Sequence, residues 1–117
     1  KRGRVTAALE AQGLDKDTII VFTSDNGGVN ARGNNGPFRD GKATPYEGGI
    51  REPLIIKWPG NTKAGSENET PVIGTDIYPT LLDIAGLPLK PKEHRDGLSL
   101  VPLLTEKGDL DRDALYW

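Results

Sequence analysis

Asp25 and Asn26 stand directly after an apolar run, separated from it only by Ser24, and Gly27 and Gly28 follow them. A carboxylate beside an amide oxygen suits a hard cation such as Ca²⁺ or Mg²⁺, which takes oxygen ligands. The glycines would let the backbone approach an ion with no side chain in the way. Asp-Asn-Gly-Gly is equally good turn chemistry, because Asx side chains bond their own backbone. Both readings stand at this point. Lys42 lies between Gly41 and Ala43 later in the same polar stretch. Its small neighbours allow the ammonium to reach a buried anion as a compact point charge, or to sit in solvent. A divalent cation beside a lysine is a way to hold an anionic ester ready for attack. No nucleophile accompanies them: there is no Gly-x-Ser-x-Gly elbow, no phosphate-cradling Walker loop and no His-x-x-x-His pair.

Regular elements have to present these residues. Residues 4–12 carry Val5, Ala8 and Leu9 at helical spacing, and Gly13 is a natural stop. Residues 18–23 (Thr-Ile-Ile-Val-Phe-Thr) are apolar on both faces, which predicts a central strand of a parallel sheet covered above and below by helices. Helix, short loop and buried strand make half of an α/β unit. Residues 25–49 are rich in Gly and Asn without periodicity, and a connection of that length in a compact domain is usually functional. A second strand is expected over 53–58, closed by Pro59-Gly60, and then a polar excursion over 61–70. Thr75 is the expected N-cap of a further helix, with Asp76 in its first turn complementing the dipole. Ile77, Leu81, Ile84 and Ala85 share one face of it, Pro79 sits near its start, and Gly86 ends it before Pro88. Residues 98–104 supply one more apolar turn, and 115–117 read as the start of a strand.

The remaining candidates have plainer roles. Arg51 is expected to brace the loop, through Glu47 or the Asp25 segment, and Arg39 and Asp40 to pack within it. His94, the one histidine, sits among Lys90, Lys92, Glu93 and Arg95 and reads as a surface residue. Tyr46, Trp58 and Tyr78 read as packing residues. The chain has 117 residues, one domain's worth or a piece of a larger one, and a formal net charge of -2 with no basic stripe. Neither nucleic acid nor a membrane is expected as partner, and no apolar run has the length of a membrane span. Without cysteine, disulfides and thiolate metal sites are excluded.

Taken in order, Ser24-Asp25-Asn26-Gly27-Gly28, Gly41-Lys42, residues 46–60 from Tyr-Glu-Gly-Gly-Ile-Arg-Glu-Pro to Trp-Pro-Gly, Thr75-Asp76-Ile77-Tyr78-Pro79-Thr80 and Asp96-Gly97-Leu98 resemble the sulfatase family of the alkaline-phosphatase-like superfamily. The resemblance runs along essentially the whole chain and matches the later part of that family's catalytic domain. It implies a partial alkaline-phosphatase-like α/β/α sandwich with a mainly parallel sheet, residues 1–117 being one fragment of a single catalytic domain. It also implies a Ca²⁺-dependent hydrolase of sulfate esters, carbohydrate sulfates being one candidate class, with Asp25 and Asn26 as metal ligands and Lys42 contacting the sulfate. The family's nucleophile is a formylglycine made from the Cys or Ser of a Cys/Ser-x-Pro-x-Arg motif, which this sequence lacks. The chain alone is therefore expected to be inactive and its Ca²⁺ site incomplete. Asp40, so near Lys42, departs from the small residues many members have there and bears on substrate fit. The family places such enzymes in the periplasm, outside the cell or in lysosomes. Two alternatives accompany this reading: a phosphonate monoester or phosphodiester hydrolase of the same superfamily, and a non-catalytic module derived from the fold. Bare sheet edges would also invite self-association.

Overall fold

The structure, a computed structural model, describes residues 3–116. In chain order the elements are α1 (Arg4–Ala11), β1 (Ile20–Thr23), α2 (Glu47–Ile50), β2 (Leu54–Lys57), a 3₁₀ turn (Gly74–Asp76), α3 (Ile77–Ile84) and α4 (Val101–Leu104). They divide between two compact units. Ile19–Lys57 forms one; the chain up to Thr18 together with Trp58–Tyr116 forms the other.

In the unit Ile19–Lys57, β1 pairs with β2 and the pair is antiparallel, Val21 lying opposite Ile56 and Phe22 opposite Ile55. The expected parallel neighbour is not found for β1 among the described residues, where its one strand partner is antiparallel. The reason lies in the connection. Parallel neighbours need a crossover, usually a helix, whereas residues 24–53 contain only the four-residue α2 and a folded loop. Residues alternate between faces along a strand. Val21, Leu54 and Ile56 are half-buried, whereas the facing pair Phe22 and Ile55 is 60% and 61% exposed. Apolar character on both faces is thus legible in the sequence, but burial on both faces is not what these residues have.

The other unit is organised by Asp76. Its side chain is fully buried, at 0% exposed, so its charge needs partners. One oxygen accepts the Ile73 N–H at 2.9 Å, and the other accepts the Leu98 N–H at 2.9 Å. Arg112 completes the set, with Nη1 donating at 3.0 Å and Nη2 bonding the second oxygen. Burial by itself would raise the Asp76 carboxyl, but the Arg112 hydrogen bonds and the two backbone N–H groups outweigh it and hold the carboxyl below its ordinary value. The hydrogen bond to Asp76 in turn raises Arg112. Thr80 links the same regions: its hydroxyl donates to the Asp76 carbonyl at 2.6 Å and accepts the N–H of Leu100, which is 2% exposed. The expected Thr75 cap is therefore replaced by the Asp76 carboxylate, which closes back onto Ile73 through the 3₁₀ turn. α3 ends as its sequence suggests, at Gly86 with φ 66°, where the Leu87 N–H returns to Leu82 O at 2.9 Å. α1 likewise ends before Gly13, and α4 falls within the apolar turn expected over 98–104. Residues 115 and 116 form no strand, and Trp117 lies outside the described residues.

Candidate functional site

β1 delivers the chain to a bend at Asp25 and Asn26. Ser24 Oγ donates to the Asn26 carbonyl at 2.9 Å, and Asn26 Nδ2 donates to Gly27 O at 3.3 Å. Asp25 is exposed and Asn26 half-buried. Among the described residues, neither the Asp25 carboxylate nor Asn26 Oδ1 accepts a hydrogen bond. The bend lacks the hydrogen bond of an Asx turn, and it leaves both candidate oxygens without a protein donor.

Glycines then let three backbone segments meet. The Gly27 N–H donates to Gly49 O at 3.0 Å, and a Cβ on Gly27 would lie 1.8 Å from Gly48 O. Gly48 is equally closed in, since its Cβ would lie 2.0 Å from Asp40 O. No side chain fits at either position. Sequence pattern shows these residues only as loop glycines; the contact that requires them is long-range.

Lys42 reaches the same place through its main chain, its N–H donating to Gly28 O at 3.1 Å. Its side chain is exposed. Nearby Asp40 and Ala43 have φ of 64° and 70°. That left-handed region costs a non-glycine residue on the order of 1 kcal/mol, so the lysine is carried on a loop bent against local preference. The structure thus brings the backbone after the Asp25-Asn26 turn and the backbone of Lys42 into direct contact.

The residue that sequence reasoning missed is Asn35. Its Oδ1 accepts the Gly28 N–H at 2.9 Å, and its Nδ2 lies 3.1 Å from Gly28 O, 3.1 Å from Asn30 Oδ1 and 2.9 Å from Asp40 O. Asn30 Nδ2 donates in turn to Asp40 Oδ1 at 2.7 Å. Asn34-Asn35-Gly36-Pro37 announces a turn, and nothing in it singles out this amide. The expected packing roles hold for the loop's charged residues: the Arg39 guanidinium lies 3.7 Å over the Tyr46 ring, Asp40 bonds Asn30, and Arg51 pairs with Glu47 at 3.1 Å while covering Phe38. Phe38, Arg51, Glu52 and Asn35 line an open cleft of about 330 Å³. In it, buried Glu52 Oε1 has no hydrogen-bond partner among the described residues.

His94, in the other unit, is half-buried rather than on the surface. Its Nε2 accepts the Lys90 N–H at 3.0 Å, its Nδ1 lies 3.1 Å from Gly97 O, and its ring meets Tyr78 edge-on. Those bonds make it a brace for the 90–97 turn. Among the described residues no group of three or more His, Cys, Asp or Glu is placed to hold a metal. Asp25 and Asn26 are hard oxygen donors of the kind Ca²⁺ takes and fit as two members of a set that normally numbers six to eight.

Comparison with known proteins places this arrangement. The chain is part of the alkaline-phosphatase-like α/β class, and residues 3–87 match the sulfatase family. It belongs to that family. It is 42% identical to a sulfatase of Formosa agariphila and 40% identical to the N-acetylgalactosamine-6-sulfatase of Mus musculus, with 98% of the chain covered in both. The chain spans 23% of the length of each of these relatives. Among solved structures, one bound to its substrate D-glucosamine-2-N,6-O-disulfate matches with TM-score 0.75 and 34% identity, over 95% of this chain and 21% of that one. A phosphonate monoester hydrolase from Silicibacter pomeroyi matches with TM-score 0.74 and 35% identity, over 93% and 20%. No helix among the described residues is long and apolar enough to cross a membrane.

Proposed function

We propose that the enzyme carrying this segment hydrolyses sulfate esters, and that its substrate is a sulfated sugar. Family membership over residues 3–87 is the observation that carries the reading. The sugar assignment draws on the N-acetylgalactosamine-6-sulfatase relative and on the neighbour bound to a glucosamine disulfate. Asp25 and Asn26 act as two oxygen ligands of a Ca²⁺ ion, and Lys42 contacts the sulfate. When bound, the cation withdraws charge from the ester oxygens. Lys42 adds a fixed positive charge where negative charge gathers as the S–O bond breaks, a form of stabilisation effective only if the ammonium is already in position. Gly27, Gly28, Gly41 and Gly48 serve that end, since their backbones pack where side chains would intrude. The nucleophile is a formylglycine contributed by another part of the enzyme. The enzyme works outside the cytoplasm, which an export signal in its full gene would establish.

A second reading, hydrolysis of phosphonate monoesters, is favoured by the Silicibacter pomeroyi neighbour. Steady-state rates of the intact enzyme on an aryl sulfate and on a phosphonate monoester separate the two. The sulfatase reading expects kcat/KM for the sulfate to exceed that for the phosphonate by about 100-fold or more, roughly 3 kcal/mol of transition-state discrimination. A preference for the phosphonate overturns it.

A further inference from the structure

We propose that Asn35 is a positioning residue, fixing Lys42 relative to the Asp25-Asn26 turn. It rests on the sulfatase reading only for its kinetic consequence; the geometric part stands alone. Lys42 receives no support from a regular element, because β1 ends at Thr23 and α2 begins only at Glu47. Two anchors hold its main chain. One is Gly28 O, which accepts the Lys42 N–H at 3.1 Å. The other is Asp40, two residues upstream, held in the left-handed region with φ 64°.

Asn35 controls both anchors. Its amide engages the Gly28 N–H and Gly28 O together, fixing the orientation of the residue whose carbonyl receives Lys42. The same Nδ2 reaches Asp40 O at 2.9 Å, while Asn30 ties Nδ2 to the Asp40 carboxylate. An amide nitrogen has two hydrogens, so three acceptors within 3.1 Å leave it no spare donor. The space is also closed, because a Cβ on Gly41 would lie 2.7 Å from Asn35 Nδ2. Every one of these bonds ends on the loop flanking the candidate site, and none on β1 or β2. Loss of the amide therefore loosens the lysine without dissolving the strand pair. Small misplacements of a charge that acts on the transition state cost rate, on the order of 100-fold for about 1 Å, while binding of the ground state changes less.

The test combines amide hydrogen exchange on the 117-residue chain with kinetics of the intact enzyme, using Asn35→Ala and Asn35→Asp. In Asn35→Ala, the Gly28 and Lys42 amides should exchange about 10-fold faster or more, with the β1–β2 ladder unchanged. Its kcat for a sulfate ester should fall about 100-fold with KM within about threefold. In Asn35→Asp, an ionised carboxylate faces Gly28 O, Asp40 O and Asn30 Oδ1, all acceptors; a protonated one regains a donor. Its kcat relative to the unsubstituted enzyme should therefore rise as pH falls, with the rise setting in above the ordinary carboxyl range because the facing acceptors disfavour the ionised form. Unchanged Lys42 and Gly28 exchange in Asn35→Ala, or kcat within twofold, overturns the proposal. If Asn35→Ala loses the ladder as well, the pH ratio of Asn35→Asp decides, and a flat ratio overturns it. An unsubstituted enzyme inert towards sulfate esters removes the sulfatase reading instead, and the exchange result still decides whether Asn35 positions Lys42.

Discussion

Replacing Asp76 by alanine removes one acceptor from four donors: the N–H groups of Ile73 and Leu98 and two nitrogens of Arg112. Each buried N–H left without a partner costs about 1–3 kcal/mol, and stripping one member from a buried ion pair costs about 3–5 kcal/mol. These figures overlap, since one relaxation of the backbone relieves both, and a total of about 4 kcal/mol is expected. That is a large fraction of the 5–15 kcal/mol or so by which a domain is stable. Arg112→Ala should be milder, at about 2 kcal/mol, because the carboxylate keeps its two backbone donors. The double variant should be no less stable than Asp76→Ala, since it removes the stranded guanidinium while Ile73 and Leu98 lack their acceptor in both. Urea unfolding at pH 7, followed by the fluorescence of Trp58 in the same unit, ranks the three proteins. A loss below about 1 kcal/mol in Asp76→Ala, or a larger loss in Arg112→Ala, refutes the reasoning.

The same carboxylate gives a pH dependence whose sign is fixed by its lowered value. Its contribution is fully present above the unfolded carboxyl value of about 4 and is lost as pH falls through the folded value. Urea midpoints should therefore drop below pH 4 in the natural chain, and Arg112→Ala should flatten that drop; an equal slope in both contradicts the assignment. Gly27→Ala forces a Cβ to 1.8 Å from Gly48 O, so the loop should open, with faster exchange of the Gly27 and Gly48 amides and a loss above about 2 kcal/mol. A variant as stable as the parent would show that the close approach is not required. Calorimetric titration of the 117-residue chain with Ca²⁺ should give a dissociation constant on the order of millimolar or weaker, as befits two side-chain oxygens; micromolar binding abolished in Asp25→Ala would contradict that.

What the sequence shows of this protein depends on distance along the chain. β1, β2 and the glycine stop of α3 rest on neighbours within a few residues, and each falls where its apolar run or Gly86 puts it. The bend at Asp25, closed by Ser24 Oγ, and the Arg51–Glu47 pair are local too. Asp76 looks like a first-turn acid because its partner Arg112 is 36 residues away, and no periodicity links them. Asn35 is hidden for the same reason: its bonds run to Gly28, Asn30 and Asp40 across a loop without pattern. The antiparallel direction of the β1–β2 pair is not legible, because a fully apolar run reports hydrophobic faces, not the geometry of the connection that follows. His94 illustrates the converse, since charged neighbours suggest exposure while its ring is held by Lys90 and Gly97.

The central claim is that Lys42 acts on the sulfate of a substrate held beside Asp25 and Asn26. Steady-state hydrolysis of a sulfate ester by the intact enzyme carrying Lys42→Ala tests it most directly. The side chain is exposed, so melting temperature should be unchanged, while kcat/KM should fall about 100-fold or more, near 3 kcal/mol of lost transition-state stabilisation. A kcat/KM within threefold of the unsubstituted enzyme would contradict the account.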